Sequence, residues 1–242
     1  MTNILLPSMG GSMFFKDYYF PKPLIEVCGV TMMERVVENL EKVPDSRFIF
    51  VYKEVECREF HLDMSAQILT QGQAEVITLG EDTAGALCTA LMAVEYIDND
   101  NPLIVVNADQ IIDVDYVKVL EYFSKQDADG GVISFDSIHP RWSYLREENG
   151  VITEVAEKRP LSKHAMTGFY YFRHGSDFVH CAEQAILKQS ATNGRYYLSA
   201  SLNEMNLLGR KLVYYEVSRN AFHSFYSPEK VREYEKYEED KA

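Results

Sequence analysis

The sequence has no apolar segment long enough to cross a membrane and no excess of basic residues. None of its apolar runs approaches the roughly 20 residues of a transmembrane helix, and Met1, Thr2 and Asn3 lack the basic start of a signal peptide. Its 24 lysines and arginines face 37 aspartates and glutamates, a net charge of −13. Nucleic-acid backbones need a basic stripe. These absences predict a cytoplasmic protein that binds neither membranes nor nucleic acids.

Closely spaced cysteines are absent as well. Cys28, Cys57, Cys88 and Cys181 form no C-x-x-C pair, the spacing that zinc sites and redox motifs use. In a chain of 242 residues, four scattered cysteines predict reduced core thiols of a cytosolic protein. A disulfide framework and a cysteine zinc site are therefore excluded from the interpretation.

Apolar runs of strand length alternate with helical patterns over the first 135 residues. Leu103–Val106 is continuously apolar, as expected of a central strand covered on both faces. Such alternation predicts an α/β fold with a mostly parallel, doubly wound sheet. The predicted strands are Ile4–Leu6, Arg47–Tyr52, Ala74–Leu79, Leu103–Val106 and Gly131–Phe135. The predicted helices are Thr31–Leu40, Glu54–Leu69, Gly85–Tyr96 and Val114–Ser124.

The pattern changes after Phe135. Asn149-Gly150 between two strand-like runs predicts a hairpin, and the charged stretch from Glu229 to Lys241 predicts a solvated terminal helix. The remaining predicted strands are Trp142–Arg146, Val151–Ala156, Thr167–Phe172 and Lys211–Val217, and the helices are Ser176–Lys188, Tyr197–Leu208 and Ser227–Tyr237. Without a Pro/Ser-rich linker or an internal repeat, residues 1–242 are predicted to form one domain with a mixed sheet.

Ligands of open α/β sheets bind at the carboxyl ends of the strands, and four segments of this sequence are predicted there. Because the chain is acidic, a site for an anion needs a few cations, backbone N–H groups and a metal ion. Gly10, Gly11 and Ser12 follow the first strand, where paired glycines let N–H groups approach a phosphate. Lys22 stands between two prolines that would hold its charge against a triphosphate. The alternatives are an ordinary turn and a rigid surface loop.

The other two segments follow later strands. Asn107 and Asp109 come after the most buried predicted strand, where a carboxylate beside a nucleotide typically binds Mg²⁺. Gly85 opens a helix of small residues whose N-terminus can face an anion, with close helix–sheet packing as the alternative. Asp113 and Asp115 form a D-x-D pair that would hold the metal of a glycosyltransferase. Because they precede an apolar helix, helix capping is the favoured interpretation of both.

The order of the segments along the chain is more specific than any one of them. After the glycine loop come Pro21-Lys22-Pro23-Leu24, Val27-x-Gly29, Thr83-x-Gly85-Ala86, Asn107-Ala108-Asp109-Gln110, His139-Pro140-Arg141-Trp142-Ser143-Tyr144, Val155-Ala156-Glu157-Lys158-x-Pro160, Thr167–Phe172, Asn193-Gly194-x-Tyr196-Tyr197 and Ser227-Pro228-Glu229. This order resembles the nucleoside-diphosphate-sugar pyrophosphorylase family over nearly the whole chain. The resemblance implies a GT-A-like, Rossmann-like fold. The implied enzyme is a nucleotidyltransferase that joins the NMP moiety of an NTP to a sugar phosphate, or to a similar phosphate such as phosphocholine, and releases pyrophosphate.

The resemblance also implies roles for individual residues. Residues 1–135 would form a nucleotide-binding half and residues 136–242 an acceptor-binding half. Lys22 would neutralise the triphosphate and Asp109 would bind Mg²⁺, which suits a reaction catalysed mainly by positioning and charge neutralisation. The nucleotide would contact Gly10, Gly11, Ser12, Lys22, Gly85 and Asn107, and the acceptor would contact Arg141, Glu157 and Lys158. A role in surface-polysaccharide precursor synthesis is the implied setting, and a homodimer is left open.

Two positions depart from the family pattern. The glycine loop of the family usually ends in Gly-Ser-Arg-Phe, whose arginine contacts the transferring phosphates, whereas Met13 stands here. A late segment often carries a second metal-binding aspartate before Gly-Thr, whereas the segment Phe222 to Ser227 offers a serine. Lys16 is the first candidate for a replacement cation and Arg141 the second.

The aromatic run around Lys16 has two interpretations. Phe14, Phe15, Tyr18, Tyr19 and Phe20 would either fold over the nucleotide and exclude water, or simply pack the loop or a partner subunit. Two rival functions also stay open. One is a glycosyltransferase that uses an NDP-sugar through the D-x-D pair. The other is a catalytically weakened homologue that binds nucleotide as a sensor or partner subunit.

Overall fold

The computed structural model describes residues 1–10 and 13–241. Its strands are β1 (Thr2–Pro7), β2 (Glu26–Val27), β3 (Val30–Thr31), β4 (Ser46–Lys53), β5 (Glu75–Leu79), β6 (Leu103–Val106), β7 (Gln110–Ile112), β8 (Gly130–Asp136), β9 (Ser143–Glu148), β10 (Val151–Glu157), β11 (His164–Phe172), β12 (Leu212–Val217) and β13 (Phe222–Ser224). Its α-helices are α1 (Met32–Leu40), α2 (Glu54–Phe60), α3 (Leu62–Leu69), α4 (Ala86–Leu91), α5 (Val94–Ile97), α6 (Tyr116–Lys125), α7 (Gly175–Leu187), α8 (Ser199–Leu207) and α9 (Pro228–Glu239).

The main sheet has nine strands in the order β5-β4-β1-β6-β11-β8-β12-β10-β9. Seven of them run in one direction, and β10 and β11 run against the rest. The first four strands in this order are mutually parallel. The predicted mixed, mostly parallel α/β sheet is therefore confirmed.

Helices cover both faces of this sheet, because side chains of successive strand residues point to opposite faces. In β1, Ile4 and Leu6 join one buried cluster and Leu5 joins another. The first cluster takes apolar residues from α1, α2, α3 and α6. The second takes them from α4, α5, α7 and α8. The doubly wound arrangement that the alternation predicted is thus confirmed.

Two of the predicted helices are each divided in two. His61 separates α2 from α3 with a left-handed φ of 56°, and its N–H caps α2 by donating to the Cys57 carbonyl. The predicted helix from Gly85 to Tyr96 is interrupted between Leu91 and Val94. Apolar periodicity continues across such breaks because it reports which residues face the core and not the local backbone angles.

The terminal helix α9 is anchored by one face, which corrects the prediction of a merely solvated helix. Val231 and Tyr234 are three residues apart, lie on one face and are buried. They pack with Phe15, Ile111 and Phe225 in a third cluster. The small sheet of β7 and β13, which the sequence did not reveal, brings the last two of these residues under α9.

Of the four cysteines that were predicted as core thiols, two are buried and two are not. All four cysteines are free, Cys57 and Cys181 are buried, and Cys28 and Cys88 are partly exposed. Burial raises the pKa of the Cys181 thiol to about 12. Within the described part of the chain, the helices are too short or too polar to span a bilayer.

Candidate active site

Two cavities meet at the carboxyl ends of β1 and β6 and share Asn107 and Asp109 as lining residues. The loop cavity, about 420 Å³, lies under the segment from Phe15 to Pro23. The strand cavity, about 380 Å³, is lined from β9, β10 and β11 and by Ser224 and Tyr226 at the end of β13. The site thus lies at the edge where ligands of open α/β sheets bind.

Lys22 and Asp109, which lie 87 residues apart in the chain, form a direct ion pair in the loop cavity. Lys22 lies at the start of a short 3₁₀ turn, Lys22–Leu24, after Pro21 in extended conformation. Its side chain is 16% exposed and that of Asp109 is 26% exposed. The Asp109 carbonyl accepts a hydrogen bond of 2.7 Å from the Phe225 N–H. The two residues predicted to be catalytic are therefore brought together.

Asn107 is fixed by its own backbone and side chain. Its N–H donates to the Gly168 carbonyl at 3.1 Å, and its Nδ2 donates to Gln110 Oε1 at 3.3 Å. Gly168 has a φ of 88°, and a Cβ there would lie 2.2 Å from Asn107 Nδ2. Only glycine leaves room for this amide, which explains the Thr-Gly step in β11.

Glu157 and Lys158, the residues predicted to contact the acceptor, lie at the end of β10 and line the strand cavity. The Glu157 carboxylate accepts hydrogen bonds from the hydroxyls of Ser143 and Ser199, the latter at 2.9 Å. Register in the β9–β10 hairpin places Ser143 opposite Glu157. Lys158 Nζ donates to the Tyr197 hydroxyl at 2.7 Å. Two hydroxyl donors hold Glu157 in one orientation toward the cavity.

The aromatic residues of the strand cavity are partly covered by cations. The Arg141 guanidinium lies 3.4 Å from the centre of the Tyr226 ring and 5.1 Å from that of Trp142. Lys158 Nζ lies 4.8 Å from the centre of the Tyr197 ring. Burial, and next the nearby Glu157 carboxylate, raise the pKa of Tyr170 well above its usual value. Tyr170 therefore faces the cavity as a neutral phenol.

The predicted glycine contacts are only partly described. Gly10 lines the loop cavity, whereas Gly11 and Ser12 lie outside the described residues. Gly85 has a φ of 136°, and a Cβ there would lie 2.3 Å from the Tyr196 carbonyl oxygen. The helix that it precedes, α4, has six residues. Close packing accounts for this glycine, and its contact with a nucleotide stays a prediction.

The residues around Lys16 were predicted either to fold over the nucleotide or to pack the loop, and the structure supports a different interpretation for different residues. Lys16 lines the loop cavity and is exposed, as are Tyr18, Tyr19 and Phe20. Phe15 is 6% exposed and packs into the third cluster beneath α9. Phe15 is therefore packed in the core and also lines the cavity, which the exposed rings of Tyr18, Tyr19 and Phe20 line with it.

The D-x-D pair does not line either cavity. Asp115 is the N-cap of α6 and accepts from the N–H groups of Val117 and Lys118 at 3.1 and 3.3 Å. Asp113 does not cap this helix, which corrects the joint prediction. Its carboxylate accepts from Tyr237 and Lys241 of the C-terminal segment instead.

The oxygen ligands around Asp109 suit a magnesium ion that arrives with a substrate. Asp109 and Ser224 line the strand cavity together. Among residues 1–10 and 13–241, no cluster of three or more His, Cys, Asp or Glu is placed to hold a metal by itself. Mg²⁺ commonly uses one or two carboxylates and completes its shell with water and substrate phosphates. A single aspartate fits that mode.

Several lining residues were missed by sequence reasoning. Glu56 and Phe60 of α2 line the loop cavity, directly after the carboxyl end of β4, so the strand-end rule would have found them. Ser199 reaches Glu157 from 42 residues away, and Tyr226 reaches Arg141 from 85 residues farther along the chain. These long-range contacts leave no local signal.

Comparison with known proteins identifies relatives of the whole fold. Residues 18–212 match the nucleotidyl transferase family. The nucleoside-diphosphate-sugar pyrophosphorylase of Vibrio cholerae RC9 is 22% identical, with a TM-score of 0.82 over 96% of this chain and 99% of that one. A putative glucose-1-phosphate thymidylyltransferase of Bacillus anthracis is 19% identical, with a TM-score of 0.77 over 98% and 95%. A UDP-glucose pyrophosphorylase complexed with UDP-glucose is 14% identical, with a TM-score of 0.78 over the full length of both chains.

Proposed function

Since the chain belongs to the nucleotidyl transferase family, we propose that it is a Mg²⁺-dependent enzyme that transfers the NMP moiety of an NTP to a sugar phosphate or a similar small phosphorylated metabolite. The observation that carries this proposal is the position of Asp109. Its side chain stands between two cavities, with Lys22 on one side and the cavity of Glu157 and Lys158 on the other. Such a junction suits a reaction that joins two phosphorylated substrates.

The proposed transfer needs no acid–base pair. A phosphate oxygen of the acceptor attacks the α-phosphorus of the NTP, and a new P–O bond forms. The bond between the α-phosphorus and the oxygen that bridges to the β-phosphate breaks, and pyrophosphate leaves with that electron pair. Positioning and charge neutralisation supply most of the catalysis in such transfers.

The side chains of the site fit these tasks. Lys22 would bind the leaving phosphates once a metal ion takes its place at Asp109, and Lys158 would bind the acceptor phosphate. Gly10, Gly11, Ser12, Gly85 and Asn107 would contact the nucleotide. A bound Mg²⁺, held by Asp109 and the phosphates, would neutralise charge at the leaving group. Loop aromatics would exclude water and so strengthen each of these charge contacts.

The strand cavity favours a sugar phosphate over phosphocholine as acceptor. A quaternary ammonium group is recognised by open aromatic faces. Here the rings of Tyr226 and Tyr197 have Arg141 and Lys158 within 3.4 and 4.8 Å of their centres. Glu157, fixed by two hydroxyls, offers an acceptor for sugar hydroxyls instead. A sugar-nucleotide product would serve surface-polysaccharide synthesis in the cytoplasm, where NTPs are available.

Two rival functions remain as outcomes of the test. A glycosyltransferase that uses the D-x-D pair would need carboxylates that here cap α6 and bind the C-terminal segment. A weakened homologue is supported by Met13, where the family carries an arginine, and by the segment Phe222 to Ser227, which offers a serine where the family often carries a second aspartate.

A pyrophosphate-release screen tests the function directly. Each of the common NTPs would be mixed with Mg²⁺ and a panel of sugar 1-phosphates, with phosphocholine as the cationic comparison. Release with one NTP–sugar phosphate pair, and its loss on addition of EDTA, is expected. Sugar transfer from an NDP-sugar without pyrophosphate would establish the glycosyltransferase. Nucleotide binding without any turnover across the panel would establish the weakened homologue.

A further inference from the structure

Arg141 differs from most other arginines of this acidic protein. Seven arginines form ion pairs with aspartate or glutamate side chains. Within the described part of the chain, no carboxylate pairs with Arg141, although it lines the cavity that contains Asp109 and Glu157. With 37 acidic residues available, an arginine left without one is suited to an anionic ligand.

The guanidinium of Arg141 is held in place by stacking. Its carbon lies 3.4 Å from the centre of the Tyr226 ring, so the ring contacts the face of the group. Stacking on an aromatic face leaves the in-plane N–H donors available, and these donors match the geometry of a phosphate. The preceding residue of that segment, Phe225, donates its N–H to the Asp109 carbonyl at 2.7 Å. One short segment therefore positions both Arg141 and Asp109.

The loop that follows β1 meets the same ring. Phe14 contacts Tyr226 edge to face, with ring centres 5.8 Å apart. Met13, its neighbour, is 85% exposed and carries no charge. Phe14, the neighbour of the loop position that lacks a cation, and the stacked Arg141 thus contact Tyr226 from two different parts of the chain.

We propose that Arg141 binds the nucleotide phosphates during transfer and supplies, from the strand side, the cation that the loop lacks at Met13. This inference rests on the proposed function for the identity of its ligand. At the junction of two phosphorylated substrates, like charges approach each other, and a fixed guanidinium between them lowers that repulsion. Lys16 is less suited to this task, because it is exposed on a flexible stem in the loop cavity.

The test compares Arg141→Met with Arg219→Met. Arg219 is a matched control because it also lies over aromatic rings, 5.0 Å from the centre of Phe135, and lines neither cavity of the site. Affinity for inorganic tripolyphosphate with Mg²⁺ would be measured by calorimetry, which requires no acceptor. The kcat and both KM values would be measured with the NTP–acceptor pair found in the screen, and Tm would report folding.

Arg141→Met is expected to bind tripolyphosphate about tenfold more weakly and to lose about 100-fold in kcat, with the Tm of the wild type. Arg219→Met is expected to match the wild type in tripolyphosphate affinity, kcat and Tm. Adding Met13→Arg to Arg141→Met is expected to restore about tenfold of the lost kcat. If Arg141→Met does not fold, Arg141→Lys keeps the charge but not the planar stack, and an intermediate kcat is expected.

Two results would overturn the proposal. In the first, Arg141→Met keeps the tripolyphosphate affinity of the wild type and a kcat within threefold of it, and only the KM for the acceptor rises. Arg141 would then bind the acceptor alone. The other is a folded double variant without recovery, which would show that the two positions do not serve one phosphate. A kcat within threefold of the wild type in Arg141→Met would refute this inference and leave the proposed function standing. If the wild type shows no turnover but Arg141→Met still binds tripolyphosphate more weakly than the wild type does, the proposed function fails and the phosphate contact of Arg141 stands.

Discussion

The two ends of strand β7 carry aspartates four residues apart whose surroundings differ. Asp109 precedes the strand, pairs with Lys22 and lines both cavities. Asp113 follows the strand and accepts from Tyr237 at 3.2 Å and Lys241 at 3.0 Å. Both carboxylates have partners from the protein itself, but only the first also lines space for a ligand. Residue type is the same at both ends, and the difference in partners separates a proposed metal ligand from a structural contact.

The largest effect on catalysis is expected from a substitution of Asp109, which precedes β7. Asp109→Asn should lower kcat by about 10³-fold, because a neutral amide is a poor ligand for Mg²⁺ and for Lys22. The Tm should change little, since the side chain lies at a cavity wall. Steady-state pyrophosphate release and thermal unfolding would measure the two quantities. Asp113→Asn is the matched control, and if it abolished release while Asp109→Asn did not, the assignment of the two ends would be reversed.

Lys22, the partner of Asp109, should give the next largest effect. Lys22→Ala should lower kcat by about 100-fold and raise the KM for NTP, because the charge that meets the triphosphate is lost. The variant should fold with a small fall in Tm, because the charge left on Asp109 faces the cavity and not the packed core. Kinetics with the NTP–acceptor pair and a melting curve would test both statements. A folded variant with wild-type kinetics would exclude Lys22 from the site.

A substitution of Asp113, which follows β7, should affect stability and not catalysis. The imidazole of His223, whose Nε2 lies 3.7 Å from the carboxylate, and next Lys241 hold the pKa of Asp113 well below its usual value against the opposing effect of burial. A lowered pKa stabilises the fold above the unfolded value of about 4, and that contribution is lost as pH falls toward the folded value.

Asp113→Asn should therefore cost about 1 kcal/mol at pH 7, a modest value because the side chain is 35% exposed and screened by solvent. Urea unfolding of both proteins between pH 7 and pH 3 would measure it. The difference between wild type and variant should stay constant down to about pH 5 and shrink below about pH 4. A difference that grows in acid would contradict the assigned role.

Asp109 and Asp113 also show which parts of the fold and of the site could be predicted from the sequence. The apolar runs predicted the sheet and the position of Asp109 after its central strand. The order of motifs, through the resemblance, assigned Lys22 and Asp109 to the nucleotide and Glu157 with Lys158 to the acceptor, and the structure brings Lys22 and Asp109 together in one cavity and Glu157 and Lys158 together in the other. The role of Asp113 could not be predicted, since its partners lie more than 100 residues away in α9 and just beyond it. Helix breaks such as His61 depend on backbone angles, which apolar spacing does not encode.

The smallest effect is expected at Lys16, the loop cation that the sequence favoured as a replacement for the missing arginine. It lines the loop cavity near Lys22, but its side chain is exposed and makes no ion pair with any residue in 1–10 or 13–241. An exposed charge is screened by water and salt, so its contribution to phosphate binding should be small. Lys16→Met should raise the KM for NTP by about twofold to threefold and leave kcat within about twofold.

Comparing Lys16→Met with Lys22→Ala at low and high salt would sharpen the result, because only a screened contribution should disappear with added salt. A loss in kcat as large as that of Lys22→Ala, persisting at high salt, would show that the loop closes around Lys16 and would transfer the role proposed for Arg141 to this lysine.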